Sequence, residues 1–133
     1  MKLFLSTKLL GLVFLLALSL RLWQLGELPV GFHVDEVRAG WNAFSILKTG
    51  QDDRGNKFAL YYDTFGDYRP TGIFYATIPS VAIFGNNEFA VRLPSALLGA
   101  LTVFPLAFFV RELLKRQKME NGRASPEAMQ VAQ

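Results

Sequence analysis

Leu93-Pro94-Ser95-Ala96-Leu97-Leu98-Gly99-Ala100-Leu101-Thr102-Val103-Phe104-Pro105-Leu106-Ala107-Phe108-Phe109-Val110 is an eighteen-residue run without a charge, closed by Arg92 before it and Arg111 after it. As an α-helix it rises about 27 Å, close to the hydrocarbon thickness of a bilayer. Pro94 and Pro105 would be costly inside a water-soluble helix, whereas a membrane helix tolerates them because neighbouring groups satisfy the freed carbonyls. Pro94 also suits the first position of a helix. The run therefore predicts a membrane span over 91–115, and an all-α integral membrane protein around it.

The rest of the composition agrees. Of 133 residues, 51% are hydrophobic and 19% charged, against about 25% charged in ordinary soluble domains. Leu9 to Leu20 forms a second uncharged block between Lys8 and Arg21. It reaches span length if Lys8 snorkels and Trp23 anchors the far interface, which predicts a first transmembrane helix within 1–25. The competing reading is a secretory signal peptide, with Lys2 and Lys8 as its basic start and Ala17-Leu18-Ser19 as its cleavage site. A third apolar block, Ile73 to Phe84, is interrupted by Thr77, Pro79 and Ser80. That length suits an interfacial helix, predicted over 69–84 with Asp67 near the cap and Pro70 in the first turn. A third span over 70–87 is the alternative.

Basic residues set the orientation. Lys2 and Lys8 precede the first block, and Arg111, Lys115, Arg116, Lys118 and Arg123 follow the last, so both ends are expected in the cytoplasm. The intervening loop, 26–90, then faces outward. From Gly26 to Val91 it holds eight acids against five bases, a net of −3. The tail, 116–133, is polar, contains Gly122 and Pro126, and lacks a core pattern, which predicts at least partial disorder. The net charge of +3 sits at the chain ends rather than on one face, which argues against nucleic acid. Cysteine is absent and His33 is the only histidine, so disulfides, Cys-based zinc sites and His clusters are excluded. The eleven glycines are scattered, with no phosphate-cradling loop.

Within the loop, Val34, Val37, Trp41, Phe44 and Leu47 recur at three- and four-residue steps, predicting a juxtamembrane helix over 34–48 with its apolar stripe on the bilayer. Gly50 suits its C-terminus. Asp35 and Glu36 fall in its first turn, where the helix dipole stabilises acids by about 0.3–1 kcal/mol. The functional alternative is a general base beside the bilayer, with the second carboxylate orienting a partner or binding a divalent metal. Gly66-Asp67-Tyr68-Arg69-Pro70 reads as a turn and a helix start. Its Arg69 either snorkels to headgroups or binds a lipid phosphate through two N–H groups. Asp52-Asp53-Arg54-Gly55-Asn56 is a polar turn whose spacing matches no EF-hand loop. Trp41, Phe44, Phe58, Tyr61 and Tyr62 are expected at the membrane interface.

Arg21-Leu22, Gly31-Phe32-His33-Val34-Asp35-Glu36, Tyr61-Tyr62, Gly66-Asp67-Tyr68-Arg69-Pro70 and Asn87-Glu88-Phe89-Ala90-Val91-Arg92-Leu93-Pro94-Ser95 follow one another in an order that resembles the amino-terminal part of GT-C glycosyltransferases. The resemblance covers roughly residues 20 to 112 and is to the protein mannosyltransferase and lipid A aminoarabinose transferase group, glycosyltransferase family 39 and its bacterial kin.

The resemblance implies inverting transfer of a sugar from a polyprenyl phosphate donor to a hydroxyl acceptor, at an inner-membrane site. It puts Asp35 in the role of catalytic base with Glu36 beside it, Arg69 on the donor phosphate and Arg38 near it. Some relatives carry an acid directly before that basic residue; here Tyr68 stands there and Asp67 one step earlier, as candidates for substrate binding. Family enzymes continue through many more spans. The expectation is thus an inactive amino-terminal segment that needs its missing carboxy-terminal portion or another membrane subunit. A non-catalytic two-span protein binding lipid or a membrane partner is the alternative.

Overall fold

The computed structural model describes residues 7–64 and 66–130, with the side chains of Thr64, Asp67 and 121–130 left aside. Its elements are α1 (Thr7–Leu22), α2 (Val34–Thr49), β1 (Tyr61–Thr64), β2 (Asp67–Pro70), α3 (Gly72–Phe84), α4 (Glu88–Leu101) and α5 (Val103–Gln130). The protein is thus mostly helical, and among the described residues one helix, Glu88–Glu120, is long and apolar enough to cross a membrane. Only 11% of its apolar window is buried, unlike the core helix of a soluble protein. Pro105 explains the irregularity at Thr102 that separates α4 from α5. Its ring crowds the carbonyl four residues back, that of Leu101.

The chain divides into two compact units. In the unit of Met1–Ala17 and Gly99–Gln133, the Phe14 and Phe104 rings tilt against each other with centroids 5.1 Å apart. α1 buries no residue and has 16 residues, about 24 Å of rise, short of a full crossing by itself. Lys2 lies outside the described residues.

The second unit, Leu18–Leu98, carries the loop. Here α2 packs on α3 through its small-residue face. Ala39, Gly40, Asn42 and Ala43 are buried, and Ala39, Ala43, Tyr62, Phe74, Val81, Ala90 and Val91 make the core. Most of the apolar stripe points the other way: Val34, Val37, Trp41 and Leu47 are exposed, while Phe44 is partly buried against the core. A helix that buries alanine and glycine while exposing tryptophan and valine is inverted relative to a water-soluble one.

Four expectations need correction. The helix expected over 69–84 begins at Gly72, because Asp67–Pro70 pairs antiparallel with Tyr61–Thr64 in a hairpin whose register sets Tyr62 opposite Arg69. Thr71 holds the cap position in place of Asp67. Pro94 lies inside α4, which starts six residues earlier at Glu88, instead of opening it. The tail continues α5 as helix to Gln130, in keeping with the strong helix formers from Arg111 to Glu120; residues 131–133 lie outside the described residues.

Candidate functional site

The site grows from the start of α2. His33 is the N-cap: its Nδ1 accepts from the Asp35 amide at 3.4 Å, while its own amide donates to Glu36 Oε2 at 3.0 Å. This reciprocal box fixes the first turn. Successive residues on a helix point about 100° apart, and the two acids accordingly take different partners. Arg69 Nη1 donates to Asp35 Oδ1 at 2.6 Å, a pair whose side chains are 48% and 55% exposed. Glu36 instead meets Arg92. Nε donates to Oε1 and Nη2 to Oε2, both at 2.9 Å.

Arg92 is 7% exposed and does more than hold Glu36. Its Nη1 donates to the Leu25 carbonyl at 3.1 Å and its Nη2 to the Gly31 carbonyl at 2.7 Å. One guanidinium thus ties the 25–31 segment and the first turn of α2 to α4. Parallel charge-assisted bonds of this kind are the strong ones. The hydrogen bonds from Arg92 hold the Glu36 carboxyl below its ordinary range, against the opposing effect of burial, and the His33 amide adds to the lowering.

Arg38 and Arg54 lie over the Tyr62 ring, 5.6 and 4.7 Å from its centroid. The Tyr62 hydroxyl donates to Asp53 Oδ2 at 3.0 Å, and its ring stands edge-on to Phe74. Tyr62 is therefore a core residue and Phe44 packs partly buried against the core, corrections to their expected place at the interface; Trp41, Phe58 and Tyr61 are exposed. Asp52 is buried and closes its own turn by accepting from the amides of Arg54 and Asn56. Among the described residues no cluster of three His, Cys, Asp or Glu side chains stands ready to hold a metal ion.

Two clefts meet at Asp35. The larger, about 390 Å³, runs between Arg21, Asp35, Glu36, Arg92 and Ser95 and an apolar wall. The smaller, about 260 Å³, is lined by Asp35, Arg38, Tyr62, Arg69, Pro70, Ile73 and Phe74. Asp35, Arg38 and Arg69 are thus brought together, with Glu36 turned to the other side. Tyr68 is exposed on β2 and does not line either cleft. The Asp67 side chain lies outside the described residues.

Arg92 is the residue sequence reasoning passed over. Its only local signal was a guanidinium placed directly before an apolar run, which reads equally well as a membrane-flanking charge. No protein-family model, curated protein or solved structure matches this chain.

Proposed function

We propose that this chain is the amino-terminal part of a membrane glycosyltransferase that moves a sugar from a polyprenyl phosphate donor to a hydroxyl acceptor. In this reading it has two spans in the inner membrane, both ends are cytoplasmic and the loop faces outward. Asp35 takes the proton of the acceptor hydroxyl as the acceptor oxygen bonds to the anomeric carbon. The bond from that carbon to the phosphate oxygen breaks, its electron pair leaves with polyprenyl phosphate, and the configuration inverts. Arg69, with Arg38 in the same cleft, offsets the charge that develops on the departing phosphate.

One observation carries this reading: a half-exposed carboxylate and a half-exposed guanidinium share the smaller cleft 2.6 Å apart, base and phosphate ligand within one site. The exposed stripe of α2 supports placement of that cleft at the bilayer surface, where a lipid-linked donor lies. Both clefts are open, whereas phosphate-leaving chemistry needs a site closed from water, so further membrane helices, in the same protein or a partner, complete the enclosure.

The test is transfer of labelled sugar from polyprenyl phosphate sugars in membranes that carry the chain. Transfer lost in Asp35→Asn with normal membrane insertion supports the assignment; equal transfer by the mutant removes Asp35 from the chemistry. The openness of the clefts also favours a second reading, a non-catalytic protein that binds lipid through its loop. Polyprenyl phosphate binding that depends on Arg69, without transfer by the wild-type protein, would establish that one.

A further inference from the structure

Successive residues of a strand point to opposite faces, and the neighbours Tyr61 and Tyr62 accordingly differ, at 68% and 7% exposed. Tyr62 lies in the core with Ala39, Phe74 and Val91, yet it also lines the smaller cleft beside Asp35, Arg38 and Arg69. Its hydroxyl donates to Asp53 Oδ2. The Asp53 amide in turn donates to Asn42 Oδ1 at 3.1 Å, and Asn42 Nδ2 donates to the Arg38 carbonyl at 3.0 Å. The Arg38 guanidinium then lies over the Tyr62 ring, 5.6 Å from its centroid. Arg38 is thus joined to Tyr62 at both ends, from its carbonyl by way of Asn42 and Asp53, and from its guanidinium directly. We propose that Tyr62 is a positioning residue: the face of its ring holds the Arg38 guanidinium at the wall of the smaller cleft, so that the charge stands in place before a phosphate arrives.

The chemistry of the position asks for a tyrosine rather than an aliphatic core residue. A guanidinium is drawn to the negative face of an aromatic ring within about 6 Å of its centroid. A phenol that gives its hydrogen bond to a carboxylate is polarised by it, which deepens that negative face. The same ring holds a second guanidinium, that of Arg54 at 4.7 Å, whose charge Asp63 offsets from 3.9 Å. Leucine would fill the core and hold neither cation. Arginine is a long side chain, and ordering it in advance spares the entropy that binding would otherwise spend on it. The benefit to transfer rests on the function proposed above; the hold on Arg38 does not.

Arginine-specific labelling of the full chain in detergent by p-hydroxyphenylglyoxal, read by peptide mass spectrometry, tests the hold. Tyr62→Leu is expected to raise labelling at Arg38 about fivefold, the strength of one partly buried cation–π contact. Tyr62→Phe keeps the face and loses only the bond to Asp53, so it raises labelling by less than about twofold. The core variant Val81→Ala, in the other core cluster, loses stability without the rise, and the buried Arg92 stays unlabelled throughout. Unchanged labelling in Tyr62→Leu overturns the proposal. So does an equal rise in Tyr62→Phe, or a rise shared by Val81→Ala or by Arg92. Should Tyr62→Leu not fold, Arg38→Gln reads the contact from the other side: the Tyr62 ring resonances move in the nuclear magnetic resonance spectrum, and unmoved resonances overturn the hold. A wild type that transfers no sugar while the labelling behaves as stated counts against the proposed transfer alone and keeps Tyr62 as the anchor of Arg38.

Discussion

Arg92 and Glu36 lie 56 residues apart in the chain and meet in a two-pronged ion pair, Nε on Oε1 and Nη2 on Oε2, each at 2.9 Å. The same guanidinium bonds the Leu25 and Gly31 carbonyls. With Arg92 7% and Glu36 26% exposed, removing one partner costs at most about 3–5 kcal/mol, the value for a fully buried pair, because the other is left as an unmatched charge. Arg92→Ala is therefore expected to lower the melting temperature in detergent sharply. Arg92→Lys recovers only part of the loss, since a point charge cannot serve both carboxylate oxygens and two carbonyls at once. Equal melting of all three proteins would show that the pair does not hold the loop.

The same pair sets an acid limit. Hydrogen bonds from Arg92 lower the folded-state pKa of Glu36 below its ordinary value of 4.5. Between the two values the unfolded chain binds more protons than the folded one, so stability rises with pH there. The contribution is complete above the ordinary value and is lost as pH falls through the lowered one. Chemical denaturation at a series of pH values below about 5 is expected to show this loss in the wild type and a flatter limb in Glu36→Gln. Parallel limbs would assign the acid sensitivity to other carboxylates.

How far the sequence foretold these features depends on whether the signal was local. The stripe from Val34 to Leu47 repeats every three or four residues, and α2 occupies Val34–Thr49. The cap at His33 and its Glu36 partner are likewise three residues apart. The hairpin escaped notice because Asp67 and Pro70 carry familiar helix-start signals, while the pairing that overrides them is with Tyr61–Thr64. Gly66 at φ +87°, between two short runs rich in tyrosine, was the available clue. The division of labour between Asp35 and Glu36 was out of reach, because it is settled by Arg69 and Arg92, 34 and 56 residues away.

Gly40 sits where α2 meets the turn between α3 and α4. A Cβ at this position would stand 2.6 Å from Asn86 Oδ1 and 2.7 Å from Val91 Cγ2. The asparagine tip can swing away, but the valine is β-branched, stiff and buried in the core. Gly40→Ala is expected to destabilise by about 1–3 kcal/mol, as overpacking does, read as a lower denaturation midpoint. A gain in stability, the usual result of replacing a helical glycine, would show that the contact relaxes freely.

Trp41 is 55% exposed on the outer stripe of α2. Trp23 is the only other tryptophan, so Trp23→Phe leaves one fluorophore. In vesicles of lipids brominated near the headgroup, its emission is expected to be blue-shifted and strongly quenched, as for a ring lying in the interface. Emission like that of tryptophan in water, unaffected by bromine, would put the stripe against solvent and leave its inverted pattern without a cause.

Asp35 and Arg69 form the exposed counterpart of the buried pair, and the contrast in burial predicts a contrast in behaviour. At 55% and 48% exposure the 2.6 Å contact is screened by water, and such pairs contribute about 0–1 kcal/mol. Arg69→Ala should therefore leave the melting temperature almost unchanged. Chemistry at the carboxylate should change far more, because Arg69 Nη1 covers Oδ1. Labelling by a water-soluble carbodiimide, read by peptide mass spectrometry, is expected to rise severalfold at Asp35 in Arg69→Ala while Glu36, enclosed by Arg92, stays unlabelled. Arg92→Ala should reverse the order and expose Glu36. Equal labelling of Asp35 with and without Arg69 would mean that the guanidinium does not rest on the carboxylate, and the smaller cleft would lose the pairing on which the proposed function rests.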